Sequence, residues 1–237
     1  KIRGNMGMHQ SALALAAVVL DEEGTSKEWL DFVFQTGDLI VVRDPVFPYG
    51  RQYQVTGGDL YRLLVDQVDR DGMGNEAAPG DNEGWLGNFL ETAEYLDGYE
   101  RYPEYDLFQN VKFQKMFSAF YQLVMLGKYT PSIGDSGFLG SPGVRGRLEH
   151  DLIAFERWGD PLHAKLIFMK NGNTTNNLRG NIFSPDPEKA IRDIEQIVQT
   201  EGPLELDSTM MNGYGFAALR DGDAPRLASD TSVHFND

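Results

Sequence analysis

The stretch Asn110-Val111-Lys112-Phe113-Gln114-Lys115-Met116-Phe117-Ser118-Ala119-Phe120-Tyr121-Gln122-Leu123-Val124-Met125-Leu126 sets the reading of this chain. Val111, Phe113, Met116, Phe117, Phe120, Leu123 and Val124 recur at helical steps, which gathers them on one face. Working outward, the same periodicity predicts helices over Met6 to Asp21 with Asn5 as N-cap, and over Ser26 to Thr36 capped by Ser26. Further helices are expected over Asp59 to Val68, Glu83 to Leu96, Arg147 to Arg157, Pro161 to Met169 and Pro187 to Thr200. Pro187 suits a first helical turn. The loops 37–57, 70–82, 129–146 and 171–186 are long and rich in Gly, Pro and Asn, a length that marks function or disorder. Tyr49, Tyr53, Tyr129 and Phe138 within them argue for order. Past Pro203 the pattern changes: Ser208 to Arg220, the turn Asp221-Gly222-Asp223, and Leu227 to Phe235 read as one or two β-strands around a hairpin. Two strands alone cannot bury a face, so more of that sheet is expected elsewhere.

The chain has 237 residues, 41% of them hydrophobic and 24% charged, enough to bury a core in one large or two small domains. It starts on Lys1, which reads as a segment cut from a longer polypeptide. No run of about 20 apolar residues exists to span a membrane, and Met6 to Leu20 lacks the pattern of a signal peptide. Zero cysteines exclude disulfides and thiolate metal sites. The net charge of −15 argues against nucleic-acid binding by a general basic surface. It also means that a polyanionic ligand needs a locally basic groove.

Three segments carry candidate chemistry. In Gly4-Asn5-Met6-Gly7-Met8-His9-Gln10, Asn5 and His9 are four residues apart, on one face of a helix. From spacing alone, a capping Asn5 and a helix-start His9 are the simpler reading. In Asp71-Gly72-Met73-Gly74-Asn75-Glu76-Ala77-Ala78-Pro79-Gly80-Asp81-Asn82, the glycines are turn residues, and Glu76 and Asp81 offer a carboxylate pair for acid–base work. Arg145, Arg147 and His150 form a local basic cluster, which a solvated helix start explains as well as an anion site does. Gly134-Asp135-Ser136-Gly137 is one residue short of a nucleophile elbow. Lys165 and Lys170 are expected to snorkel, and His163 to be half-buried. There is no P-loop, no GxGxxG and no HExxH, so no metal or other cofactor is expected.

Together these segments resemble the heparinase II/III-like polysaccharide lyases. Gly4 to Gln10, leading into an alanine-rich helix, is similar to the family helix bearing the Asn that meets a uronate carboxylate. Asp71 to Gly80 resembles the family's glycine-broken loop. Asn212-Gly213-Tyr214-Gly215-Phe216-Ala217-Ala218-Leu219-Arg220 resembles the first strand after its helical domain. The resemblance implies a mainly α chain: an incomplete α/α toroid of helical hairpins over 1–203, then the truncated start of an antiparallel β-sandwich over 204–237. It also implies a secreted or periplasmic protein whose partner is an acidic polysaccharide or oligosaccharide, with no nucleic acid and no membrane.

The implied reaction is β-elimination at a uronic acid, which requires donors for the carboxylate, a base, and an acid for the leaving oxygen. Asn5 would donate to the carboxylate, and His9 would assist it or act as base. Asp81 stands where the family commonly carries a catalytic Tyr just after the loop's Pro-Gly, and a carboxylate is no substitute for a phenol of pKa about 10. Gln10, Glu76, Asn82 and Arg145 are the expected substrate contacts. Two rivals stand beside the lyase: an inverting glycoside hydrolase using Glu76 with Asp81 or Asp71, and a non-catalytic glycan-binding protein.

Overall fold

A computed structural model describes residues 7–43, 51–134, 143–220 and 231–234. These are mainly helical. In chain order they form helices α1 (Met8–Leu20) and α2 (Glu23–Phe34), strands β1 (Leu39–Arg43) and β2 (Arg51–Val55), then α3 (Leu60–Gln67), α4 (Pro79–Leu96) and α5 (Val111–Ala119). Helices α6 (Leu148–Trp158), α7 (Pro161–Lys170) and α8 (Lys189–Glu201) follow, then strands β3 (Thr209–Met211), β4 (Phe216–Leu219) and β5 (Thr231–His234). The chain divides into two compact units, residues 1–69 with 84–113, and residues 70–83 with 114–237.

In the first unit, α1 and α2 are joined only by Asp21 and Glu22 and pack on each other. Ser26, expected as a cap, instead lies fully buried inside α2 and donates its hydroxyl to the Ala17 carbonyl at 2.7 Å. The helix begins three residues earlier, with Glu22 as its N-cap. The cap of α1 is also not the expected one: Gly7 holds that place at φ 92°, and its Cα lies so close to α4 that a side chain would meet Asn88 Cβ at 2.9 Å. Only glycine combines that backbone with that approach. Asn5 lies outside the described residues. The expected loop 37–57 contains an antiparallel hairpin, β1 paired with β2 from Leu39 opposite Val55 to Arg43 opposite Arg51. Its neck is closed by Gly37 N–H donating to the Asp59 carboxylate at 2.7 Å. The core of this unit includes Leu30, Val33, Leu60, Leu64, Trp85, Phe89 and Leu107, all essentially inaccessible.

Two helix boundaries in the middle of the chain differ from the periodic expectation. Helix α4 starts at Pro79, not Glu83, so Gly80 is a helical residue and not a turn. Proline at the first helical position and Asp81 in the first turn both favour that start, through a preset φ and the helix dipole. Helix α5 starts where Asn110 Oδ1 accepts from Lys112 N and Phe113 N, at 3.0 and 3.2 Å. It tightens to a 3-10 turn over Phe120–Leu123 and stops short of Leu126. There Leu126 and Gly127 both take positive φ, and Met125 bridges Tyr129 across the resulting tight turn.

In the second unit, α6 and α7 are linked by Gly159 and Asp160, whose carboxylate caps Leu162 N at 2.9 Å. Phe155, Ala164, Ile167, Leu178, Ala190, Ile191 and Ile194 join α6, α7 and α8 in one apolar cluster. Pro187 lies just outside α8, which Glu188 caps. The three strands form one antiparallel sheet in the order β3-β4-β5. Its first hairpin turns at Asn212–Gly215, inside the stretch expected to run on to Arg220, with Gly215 at φ 77°. The turn expected at Asp221–Asp223 lies outside the described residues.

A buried ionic group ties α6 to α7. Asp151 is 3% exposed, and its carboxylate meets His163 Nδ1 at 3.3 Å and the Lys170 ammonium. Lys170 also donates to the Gly146 carbonyl at 3.2 Å, so it does not snorkel, and His163 is buried and not half-exposed. Gly146, at φ 93°, leaves the space that a side chain would take from Lys170 Nζ. Breaking a buried pair strands the remaining charge, so Asp151→Ala should lose about 3 kcal/mol or more in urea denaturation.

His150, beside it on α6, is 8% exposed and edge-on to Phe117 at 6.5 Å between ring centroids. Burial, helped by the Arg147 charge, holds its imidazole below the ordinary value of 6.5. The unfolded chain then takes up a proton near that value which the folded chain refuses. His150 therefore removes stability as pH falls below about 6.5, until the lower folded value is passed. Because His150 Nδ1 has no hydrogen-bond partner among the described residues, His150→Leu should be nearly neutral at pH 7 and should flatten the acid limb of the stability profile.

Candidate functional site

The loop before α4 is built as a rigid ledge, and its parts all lie in the second unit. The Asp71 carboxylate accepts from the backbone N–H groups of Gly213 at 2.6 Å and Tyr214 at 3.4 Å. Tyr214 returns its hydroxyl to the Ala77 carbonyl. Two of the three motifs picked out in the sequence, the glycine-broken loop and the Asn212–Gly215 turn, therefore touch directly. Gly72 takes φ 93° hard against the Lys115 carbonyl, where no side chain fits, and Lys115 Nζ donates to the Arg70 carbonyl at 2.9 Å. At the far end Gly134 packs on Ala78. These contacts give Asp71 a positioning role in the loop.

Asn82 closes the loop from inside the first turn of α4. It is 1% exposed, and its amide donates to the carbonyls of Glu76 at 2.7 Å and Ala78 at 3.2 Å. Its buried amide thus holds the ledge and offers no exposed surface to a ligand. Glu76 is half-buried in the loop, and Asp81 is half-buried in the first helical turn. A carboxylate there is favoured in its ionised form by the positive end of the helix dipole.

The cations converge one residue further along. Arg145 Nη1 and Arg147 Nε each lie 3.9 Å from an oxygen of Glu83, which is only 16% exposed, while Arg147 is well exposed. Thr130 Oγ1 accepts from the Arg145 backbone N–H at 2.9 Å and fixes that segment. Two guanidinium groups thus gather at one carboxylate at this helix start. The third member of the expected cluster, His150, is buried on α6, where the Arg147 charge reaches its imidazole.

His9 and Gln10 belong to the first unit. His9 is exposed at the start of α1. Gln10 is 5% exposed, and its Nε2 donates to the Gly58 carbonyl at 2.6 Å, so it ties α1 to the segment before α3. Two phenols of this unit are engaged as well: Tyr99 donates to Asp21 at 2.6 Å and Tyr102 to the Glu23 carbonyl at 2.5 Å. Asn5 and Asp135 lie outside the described residues. Among the described residues no group of three His, Asp or Glu side chains is placed to hold a metal ion, and no helix is long and apolar enough to cross a membrane.

Comparison with protein-family models, with curated proteins and with solved structures returned no match.

The clasp predicts its own test. Asp71→Ala removes a charged acceptor from two backbone donors and should cost about 2 kcal/mol. The Gly213 and Tyr214 amides should then exchange hydrogen markedly faster, while those of the α6–α8 cluster keep their protection.

Proposed function

We propose that the chain is part of a polysaccharide lyase that cleaves a uronic-acid-containing glycan by β-elimination, within an α/α toroid followed by a β-sandwich. The observation that carries this reading is the clasp between the Asp71–Asn82 loop and the Asn212–Gly215 turn. Motifs that resemble one family in order along the chain are here one built substructure. The Arg145–Arg147 pair beside Glu83 is the basic cluster that a polyanion would meet in a chain of net charge −15. In this reading Asn5 donates to the uronate carboxylate as negative charge builds on it. His9 assists that donation or takes the proton from the carbon beside the carboxylate. The electron pair of that C–H bond forms the ring double bond, and the glycosidic C–O bond breaks. The leaving oxygen collects a proton from water or another side chain, because Asp81 stands where the family's phenol is expected and an ionised carboxylate has no proton to give.

The assay is ultraviolet absorption of the unsaturated uronate, with alginate, heparan and other uronate polymers offered to the full-length parent protein. Asn5→Ala should abolish the signal and leave circular dichroism unchanged. Asp81→Tyr should raise the rate by about tenfold or more, the scale of one positioned acid. New reducing ends without ultraviolet absorption would assign a hydrolase using Glu76 and Asp81. Saturable binding with neither product would assign a glycan-binding protein.

A further inference from the structure

Helix α2, with Leu13 of α1, lines an open groove of about 650 Å³ that none of the segments above explains. Leu13 contributes from α1, and Gly24, Trp29 and Phe32 from α2, giving one apolar, ring-bearing wall. The polar wall is Lys27, Asp31 and Gln35, with Glu28 at its edge. We propose that this groove is a binding site for a neutral sugar residue of an oligosaccharide, separate from the loop ledge and independent of the lyase reading.

Charge selects the class of ligand. Lys27 Nζ lies 2.5 Å from Asp31 Oδ1 and 2.8 Å from the Tyr105 hydroxyl, and 5.3 Å from the Tyr105 ring centroid. The place that an incoming organic cation would seek, between a carboxylate and an aromatic face, is already held by this ammonium. An anion would face both Glu28 and Asp31. A neutral polyhydroxylated ring meets neither obstacle: its C–H face packs on an indole or phenyl ring, and its hydroxyls exchange hydrogen bonds with the polar wall.

That wall is also held in place. Tyr105 donates to Asp31, and its own ring stacks on Phe34 with centroids 4.8 Å apart and planes 16° from parallel. The Lys27 hydrogen bond keeps Asp31 below the usual carboxylate range, and that of Asp31 keeps Lys27 above the usual ammonium range. Both are charged over the neutral range, and their shared hydrogen bonds with Tyr105 orient them before a ligand arrives.

The test is titration of the whole chain with short neutral gluco- and manno-oligosaccharides, followed by calorimetry and tryptophan fluorescence. Saturable binding with a fluorescence change is expected. Trp29→Ala should weaken it by roughly tenfold or more, as loss of one aromatic contact would. Gly24→Phe should block it, and the fold should tolerate this change because no atom lies within 4 Å of the position its Cβ would take. The proposal is overturned if no neutral oligosaccharide binds, or if binding is unchanged in both variants. It is equally overturned if tetramethylammonium or a uronate oligomer gives the Trp29-dependent signal in place of the neutral sugars. Failure of lyase activity leaves each of these results readable.

Discussion

One carboxylate joins the two ends of the second unit. Asp71 and Gly213 are separated by 142 residues, and their 2.6 Å hydrogen bond brings the loop before α4 onto the β3–β4 turn. Closing so long a segment costs entropy that grows only slowly with length, but the partner must then be held in one orientation. A charged acceptor shared by two adjacent backbone donors does this, because a second N–H fixes the direction that one bond leaves open. Tyr214 adds the return bond to Ala77, and the loop between is fastened on both sides. Glu76 and the start of α4 take their places from this clasp, whatever ligand they meet.

The same economy governs the basic residues. In a chain with 21 Lys and Arg against 36 Asp and Glu, several cations point inward to backbone carbonyls. Arg220 donates to the carbonyls of Gln122 at 2.9 Å and Val124 at 2.8 Å, and so holds β4 to the 3-10 turn. Lys112 reaches the carbonyls of Val65 and Val68 in the first unit. Lys170 serves Asp151. Carbonyls at helix and strand ends lack intrasegment donors, and long cationic side chains supply them. Several basic residues are thus committed within the fold, and Arg145 and Arg147 are themselves drawn to Glu83. Any polyanion held there is held locally and with strong salt dependence, since the rest of the surface field is repulsive.

The sequence made the helical periods legible, because their signal is local. Trp29, Leu30, Val33 and Phe34 needed no knowledge of neighbours to be placed on α2. What failed was punctuation. Gly80 reads as a turn in isolation, yet Pro79 before it and Asp81 after it make a helix start, and the pair outweighs one glycine. Ser26 has the chemistry of a cap, but the packed Ala17 carbonyl took its hydroxyl. Leu126 completes an apolar stripe that a left-handed turn at Leu126 and Gly127 ends. The candidate site was legible only as segments. Asp71, Asn82 and Gln10 were visible as polar residues in suggestive places, but their partners lie tens of residues away, and no spacing rule reports a bond between Asp71 and Gly213. The Asp151–His163–Lys170 group escaped for the same reason, since each residue alone looks like a solvated or snorkelling side chain.

Asp81 is where the proposed chemistry meets the fold most sharply. In the first turn of α4 it has a structural reason to be acidic, because negative charge is favoured at that end of a helix. A tyrosine there would contribute no such term at neutral pH, so the residue that suits the helix differs from the one that suits elimination. An ionised carboxylate can accept a proton but has none to return, and its ordinary pKa lies about six units below that of a phenol. Elimination on this scaffold would then draw the leaving-group proton from water or from another side chain. The step from glycan binding to glycan cleavage thus turns on proton supply, and the Arg145–Arg147 pair, which bears only on charge, cannot provide it.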